Sequence, residues 1–316
     1  MILHQRGRLA QARSQYTDAI SFYEQSLACL QMVDDPFRRS AVLLDLGNTY
    51  LYLNQLDQAE QYLQQSLTLQ TASDDQAGRA KTLNSLAAIA TERGDYAMAQ
   101  AQYRQSLDLR RQLGDKAGIA NLLNNLGNMA CTWQKWDEAI HYFQESLAIK
   151  HEIGAPMSIA TTLLNLGTVH QEQGAFIMAE ELYQESLGIS QQIDDQLGIV
   201  YSLSNLADLA LWQQQYTAAG SRWRQALTLA YQLQATDRIF YCLLGMARLW
   251  VKTSSDPTQR LLVNDILYGL LAEPDCPAEM QAEARRVLDQ SDNMAQPWSP
   301  TRSLHDIAAA LCAGDD

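Results

Sequence analysis

The chain has 316 residues, 47% of them hydrophobic, a formal net charge of −13 and a pI of about 4.8. Such an acidic chain repels nucleic acid and anionic lipid unless a basic cluster overrides the balance, and its densest one (Arg6, Arg8 and Arg13) is soon followed by acids. Cys29, Cys131, Cys242, Cys276 and Cys312 are isolated, as suits free thiols in a reducing cytoplasm; no apolar run is long enough for a membrane span, and the start MILHQRGRLAQARSQY lacks the apolar core of a signal peptide.

Six segments then match one another at a spacing of forty residues, without insertion or deletion. Tyr16, Leu56, Tyr96, Trp136, Phe176 and Tyr216 open them. Ala19, Ala59, Ala99, Ala139, Ala179 and Ala219 follow, and then Leu27, Leu67, Leu107, Leu147, Leu187 and Leu227. A long fixed period signals stacked repeats, each packed on its neighbours. The first unit, residues 1–36, is incomplete. Its second helix is normal, but its first has only about residues 2–13, and Arg6 stands where other units carry Leu. We read this as the start of a segment cut from a longer protein rather than as a cap, because caps carry a more polar outer face.

Asp35-Pro36 opens the next helix, with Asp as N-cap and Pro at the first helical position. Five full units fill residues 37–236, and residues 77–116 are typical. Ala80, Leu83, Leu86, Ala87 and Ala90 have the spacing of an amphipathic helix. Gly94-Asp95 breaks it with a left-handed turn and a new N-cap. A second helix carries Ala99, Tyr103, Leu107 and Leu109 inward until Gly114-Asp115. The fold class is therefore all-α, built from antiparallel helix pairs. Small residues recur in the first helices at Gly47, Ala87, Gly127, Gly167, Ala207 and Ala247. Glycine there costs about 1 kcal/mol relative to alanine, so a close neighbour is expected. Tyr23, Leu63, Tyr103, Phe143, Tyr183 and Trp223 of the second helices fill the space between units. Trp136 is expected in the core and Trp133 at the surface.

Residues 237–290 hold a degenerate unit and capping helices, with new helices opening near Pro257 and Pro277. Residues 291–316 read as a proline-containing linker and a terminal short helix presenting Leu304, Ile307, Ala308 and Leu311 on one face.

Neither a Gly-rich phosphate loop nor a nucleophile elbow occurs, and the histidines do not share a helix face at metal spacing. The acid pairs Asp34-Asp35, Asp74-Asp75 and Asp194-Asp195 fall at helix junctions and read as N-caps. No catalytic residue, metal or cofactor is assigned.

The Leu-Gly or Leu-Ala pair, the Ala twelve residues after the small residue, the aromatic four later and the small residue three beyond it resemble the tetratricopeptide repeat. The stretch LNNLGNMACTWQKWDEAIHYFQESLAIKHEIG is similar to its forty-residue, long-helix subtype, found in kinesin light chains and bacterial regulators. The resemblance covers about residues 1–250 and implies a right-handed α-solenoid whose first helices line a concave groove for a protein or peptide segment. By the same resemblance the groove face carries Asn121, Asn125, Asn128, Asn165, Asn205, Asp208, Tyr201 and Tyr241, with Asn84 and Asn124 beside it. Asparagine is a poor helix former, so its recurrence asks for a reason. An amide ladder can pair with the backbone of an extended peptide; the alternative is that these amides join adjacent first helices and hold the register. Tyr201, Tyr241 and Trp212 are aromatic anchors or inter-repeat core. The tail PWSPTRSLHDIAAAL resembles the end of large bacterial signal-transduction NTPase regulators. It implies an alternative role, the sensor arm of a longer parent chain with an intramolecular NTPase domain as partner. The truncated first unit and the last helix each leave a stacking surface that allows weak homo-oligomerisation.

Overall fold

The structure, a computed structural model, describes residues 2–13, 15–33, 35–254, 256–290 and 302–313; the expected linker falls almost wholly outside them. Among the described residues there are sixteen helices and no strand. The chain forms two compact units, Met1–Ile153 and Gly154–Asp316. The first holds α1 (Ile2–Ala12), α2 (Tyr16–Leu30), α3 (Pro36–Tyr52), α4 (Leu56–Ala72), α5 (Gln76–Glu92), α6 (Tyr96–Gln112), α7 (Lys116–Thr132) and α8 (Trp136–Ile153). The second holds α9 (Pro156–Glu172), α10 (Phe176–Gln192), α11 (Gln196–Trp212), α12 (Tyr216–Gln232), α13 (Thr236–Thr253), α14 (Pro257–Ala272), α15 (Ala278–Gln290) and α16 (Leu304–Ala313).

The turns keep time with the sequence. A residue with positive φ stands at Asn54, Asp74, Gly94, Gly114, Gln134, Gly154, Gly174, Asp194, Gln214 and Gln234, one every twenty residues. Each places a left-handed step between helices, and at Gly94 nothing lies where a side chain would stand. The side chains of Asp35, Asp75, Asp95, Asp115 and Asp195 then accept from the amides of Arg38, Gly78, Met98, Gly118 and Gly198. Two of the acid pairs thus divide the work: Asp75 and Asp195 cap, whereas Asp74 and Asp194 occupy the left-handed turn, so in these two pairs only the second residue is an N-cap.

Within each pair the second helix presses its aromatic into the first. A Cβ on Gly7 would lie 2.4 Å from the Tyr23 ring, one on Gly127 2.5 Å from Phe143, and one on Gly167 2.5 Å from Tyr183. Leu63 plays the same part at Gly47. Gly7 shows that the truncated first unit keeps the contact despite Arg6, whose guanidinium stacks 4.4 Å over Phe22. Three residues past the aromatic, Ser66, Ser106, Ser146 and Ser186 donate to the carbonyls of Ser40, Ala80, Ala120 and Ala160. The hydroxyl ties the two helices of a pair without adding bulk.

The unit-opening aromatics differ from the expectation. Trp136 is half-buried, like Tyr96 and Phe176, because the first turn of each second helix lies at the edge of its stack. Trp133 stands at the surface, edge-on to Tyr96. In the second unit α16 returns against α12, α13 and α14. It buries Leu304, Ile307, Ala308 and Leu311 in the core shared with Trp223 and Leu267.

Burial pushes the Tyr103 hydroxyl in the first unit and that of Tyr183 in the second up to about 12 from 10.0. A phenol whose folded pKa is raised contributes stability that is present below its unfolded pKa and lost as pH rises through the folded one. Helix content should therefore hold to about pH 10 and fall between about 10 and 12, with these phenolates forming only as the helices melt. Phenolate absorbance and circular dichroism followed together check this; Tyr103 and Tyr183 ionising near pH 10 in a folded chain would contradict it.

Candidate binding face on the first helices

In the first unit, α1, α3, α5 and α7 lie side by side, each touching the next. Two pairs of polar side chains bridge them, each offset by one repeat plus one residue. His4 Nε2 lies 2.7 Å from Asp45 Oδ2, joining α1 to α3. The Asn125 amide donates to Asn84 Oδ1 at 2.9 Å, joining α5 to α7. These two asparagines thus do what the register reading expects. Asn124 is half-buried beside them, while Asn121 and Asn128, about one turn either side of Asn125, are exposed.

The same face holds a cleft of about 340 Å³. His4 and Arg8 come from α1, Asp45 and Asn48 from α3, Lys81, Asn84 and Ser85 from α5, and Arg110 from the last turn of α6. Arg110 Nη1 is 2.7 Å from Asp115 Oδ2, while its Nε is buried without a hydrogen-bond partner.

In the second unit, α9 touches α11, and α11 touches α13. Asn165 and Asn205 are half-buried on α9 and α11. Asp208 is buried, with Tyr241 Oη donating to it at 2.7 Å and Arg248 at 3.0 Å. Arg248 also approaches Glu283 of α15, 3.7 Å away. Burial pushes the Asp208 carboxyl up, and the guanidinium opposes the shift. Tyr201 and Tyr241 lie against Arg238, whose guanidinium is 4.5 Å and 5.2 Å from their ring centres. Both tyrosines and Asp208 are therefore engaged within the unit, and of the aromatics considered as anchors Trp212 is the exposed one. Trp223 explains why the asparagine series ends at Gly245: a Cβ there would lie 2.3 Å from the indole.

Sequence reasoning noted Arg8 only as part of a basic cluster and passed over Arg110, Arg238 and Arg248. The available signal was spacing: Asp208 and Arg248 stand one repeat apart, and His4–Asp45 shares the offset of Asn84–Asn125. Among the described residues, no group of three or more His, Cys, Asp or Glu is placed to hold a metal, and no helix is long and apolar enough to cross a membrane.

A family model for the tetratricopeptide repeat matches residues 1–72, 78–152 and 158–232, and the chain belongs to that family. Among solved structures it is similar to the apo form of RapI, at 16% identity and a TM-score of 0.66 over 92% of this chain and 98% of that one. It is also similar to BtubC from P. vanneervenii (23% identity, TM-score 0.53, covering 60% of this chain and 78% of that one). A third likeness is to a Signal Transduction ATPase with Numerous Domains, with a tetratricopeptide repeat sensor, from Pyrococcus horikoshii. There the identity is 14% and the TM-score 0.67, over 92% of this chain and 43% of that one. At these identities the likeness is one of fold. No curated protein sequence matches the chain.

Two stability measurements separate the polar contacts. A double-mutant cycle on Asn84→Ala and Asn125→Ala should give a coupling of about 0.5–1.5 kcal/mol in urea unfolding, and additivity would show the bond to be worthless. Asp208→Ala should cost about 2–3 kcal/mol, less than a fully buried pair because Arg248 keeps some solvent; an unchanged midpoint would contradict the network.

Proposed function

We propose that the chain is a non-catalytic protein- or peptide-binding module that receives an extended segment along the face of its first helices. The observation that carries this reading is the pair Asn121 and Asn128 on α7. Both are exposed on the flanks of Asn125, whose amide nitrogen donates to Asn84. Each exposed amide offers two donors and an acceptor, the complement of a peptide backbone whatever its side chains. In the second unit Asn165 on α9 and Asn205 on α11, both half-buried, stand at the positions equivalent to Asn125. The structural relatives support the reading: one is a Rap protein complexed with competence and sporulation factor, another a Rap conjugation gene regulator in complex with the Phr* peptide. In this role the module works in the cytoplasm.

A second reading, the sensor arm of a larger NTPase-type regulator, is favoured by the likeness to the Pyrococcus protein with its repeat sensor. The return of α16, from the tail that prompted that resemblance, onto the repeats of its own unit agrees with it. The two readings share the same binding face and differ in what it controls.

Panning a random peptide library against the chain tests the face directly. Selected peptides should lose about tenfold or more in affinity, about 1.4 kcal/mol, to an Asn121→Ala/Asn128→Ala variant whose melting temperature is unchanged. Recovery of no peptide, or equal affinity for both proteins, would overturn the proposal.

A further inference from the structure

In the second unit the starts of α13 and α16 meet over a cavity of about 430 Å³. Ile239, Phe240 and Leu304, all buried, form its apolar floor. Tyr231 at the end of α12 and His305 of α16 make one wall, their ring centres 5.0 Å apart. Thr236, exposed at the first position of α13, stands at the rim.

The group that gives the cavity its character is Glu273, half-buried where α14 ends. Its backbone is fixed. Its amide donates to the Gly269 carbonyl, and its own carbonyl accepts from the Cys276 amide and the Gln281 side chain. Its carboxylate has no hydrogen-bond or ion-pair partner among the described residues. No described Lys or Arg lines the cavity to neutralise it. The nearby guanidiniums turn elsewhere: Arg238 pairs with Asp237 and lies over Tyr201 and Tyr241, and Arg302 lines a separate cavity with Asp256 and Asp265.

A half-buried carboxylate has given up part of its hydration and gains from a cation that can donate to it. The rings of Tyr231 and Phe240 in the same lining favour a cation as well. An anion would meet Glu273 in a chain of net charge −13 and be repelled. The volume falls within the range of sites that enclose small molecules.

We infer that this cavity binds a small organic cation, an ammonium group carried on an apolar ring or short chain. The ammonium pairs with Glu273 beside the rings, and the apolar body covers Phe240 and Leu304. The site belongs to the second unit alone and does not rest on the peptide-binding reading; a chain that selects no peptide keeps this cavity.

A ligand-observed NMR titration of the whole chain with phenethylamine tests it, with phenylethanol as the neutral probe and phenylpropionate as the anionic one. Phenethylamine should bind, phenylethanol at least about tenfold more weakly, and phenylpropionate more weakly still. Glu273→Gln keeps the shape and removes the charge. It should bring the amine down to the level of the alcohol while melting as the wild type does. Thr236→Phe fills the rim and should weaken amine and alcohol alike. Added salt should weaken only the amine. No binding of phenethylamine, equal binding of the alcohol, or an amine affinity indifferent to either variant would each overturn the assignment.

Discussion

The contact on which the rest of this molecule depends is a side chain of one helix driven into the place where its partner has none. Tyr23, Leu63, Phe143 and Tyr183 occupy the space that Gly7, Gly47, Gly127 and Gly167 leave open. The contact sets how closely the helices of a pair approach. The alanine of each second helix, fully buried from Ala19 to Ala219, lines the same narrow gap. A serine hydroxyl bonded to the facing backbone carbonyl closes it without demanding width. Aromatic, small residue and serine recur together because they solve one steric problem, and dispersion over so short a distance rewards any set that fits.

Since the second helices supply the wedge, the first helices carry the side chains left over from packing, and those side chains face two demands. Some join neighbouring first helices: Asn84 to Asn125, His4 to Asp45, Tyr241 and Arg248 to Asp208. Others stay exposed, as Asn121 and Asn128 do. In the second unit the joining is heavier. A buried carboxylate there gathers a phenol and a guanidinium, and the guanidinium reaches on to α15.

Much of this was legible in the sequence because repetition averages out local noise. The period, the helix pairs and the capping aspartates all derive from residue types at fixed positions; that the close neighbour of the small residue is the aromatic of its own pair, expected only between units, was not legible. The turns were legible only in part. Gly94 and Gly174 announce a left-handed step, but Gln134, Gln214 and Gln234 make the same step without a composition that signals it; there the repeat imposes a conformation the residue would not choose. The face was the least legible. That asparagines recur is visible in the string, but whether one bonds a neighbour or meets solvent depends on the sideways offset between first helices. Forty residues give the equivalent position; forty-one give the partner. Asp208, Tyr201 and Tyr241, expected on the groove face from the resemblance, are engaged inside the second unit, because Arg238 and Arg248 arrive from α13.

The indole of Trp223 adds a rule about how such an array can grow. It is larger than the rings at its equivalents, and it reaches α13 where Gly245 stands in the place that Asn125, Asn165 and Asn205 hold elsewhere. A duplicated forty-residue unit spliced in immediately after α12 would set an asparagine Cβ against the indole. One spliced in after α10 would meet only the junction that already exists there. The last regular unit is in this sense keyed to α13, and lengthening or shortening of the array by whole repeats is open only upstream of that key.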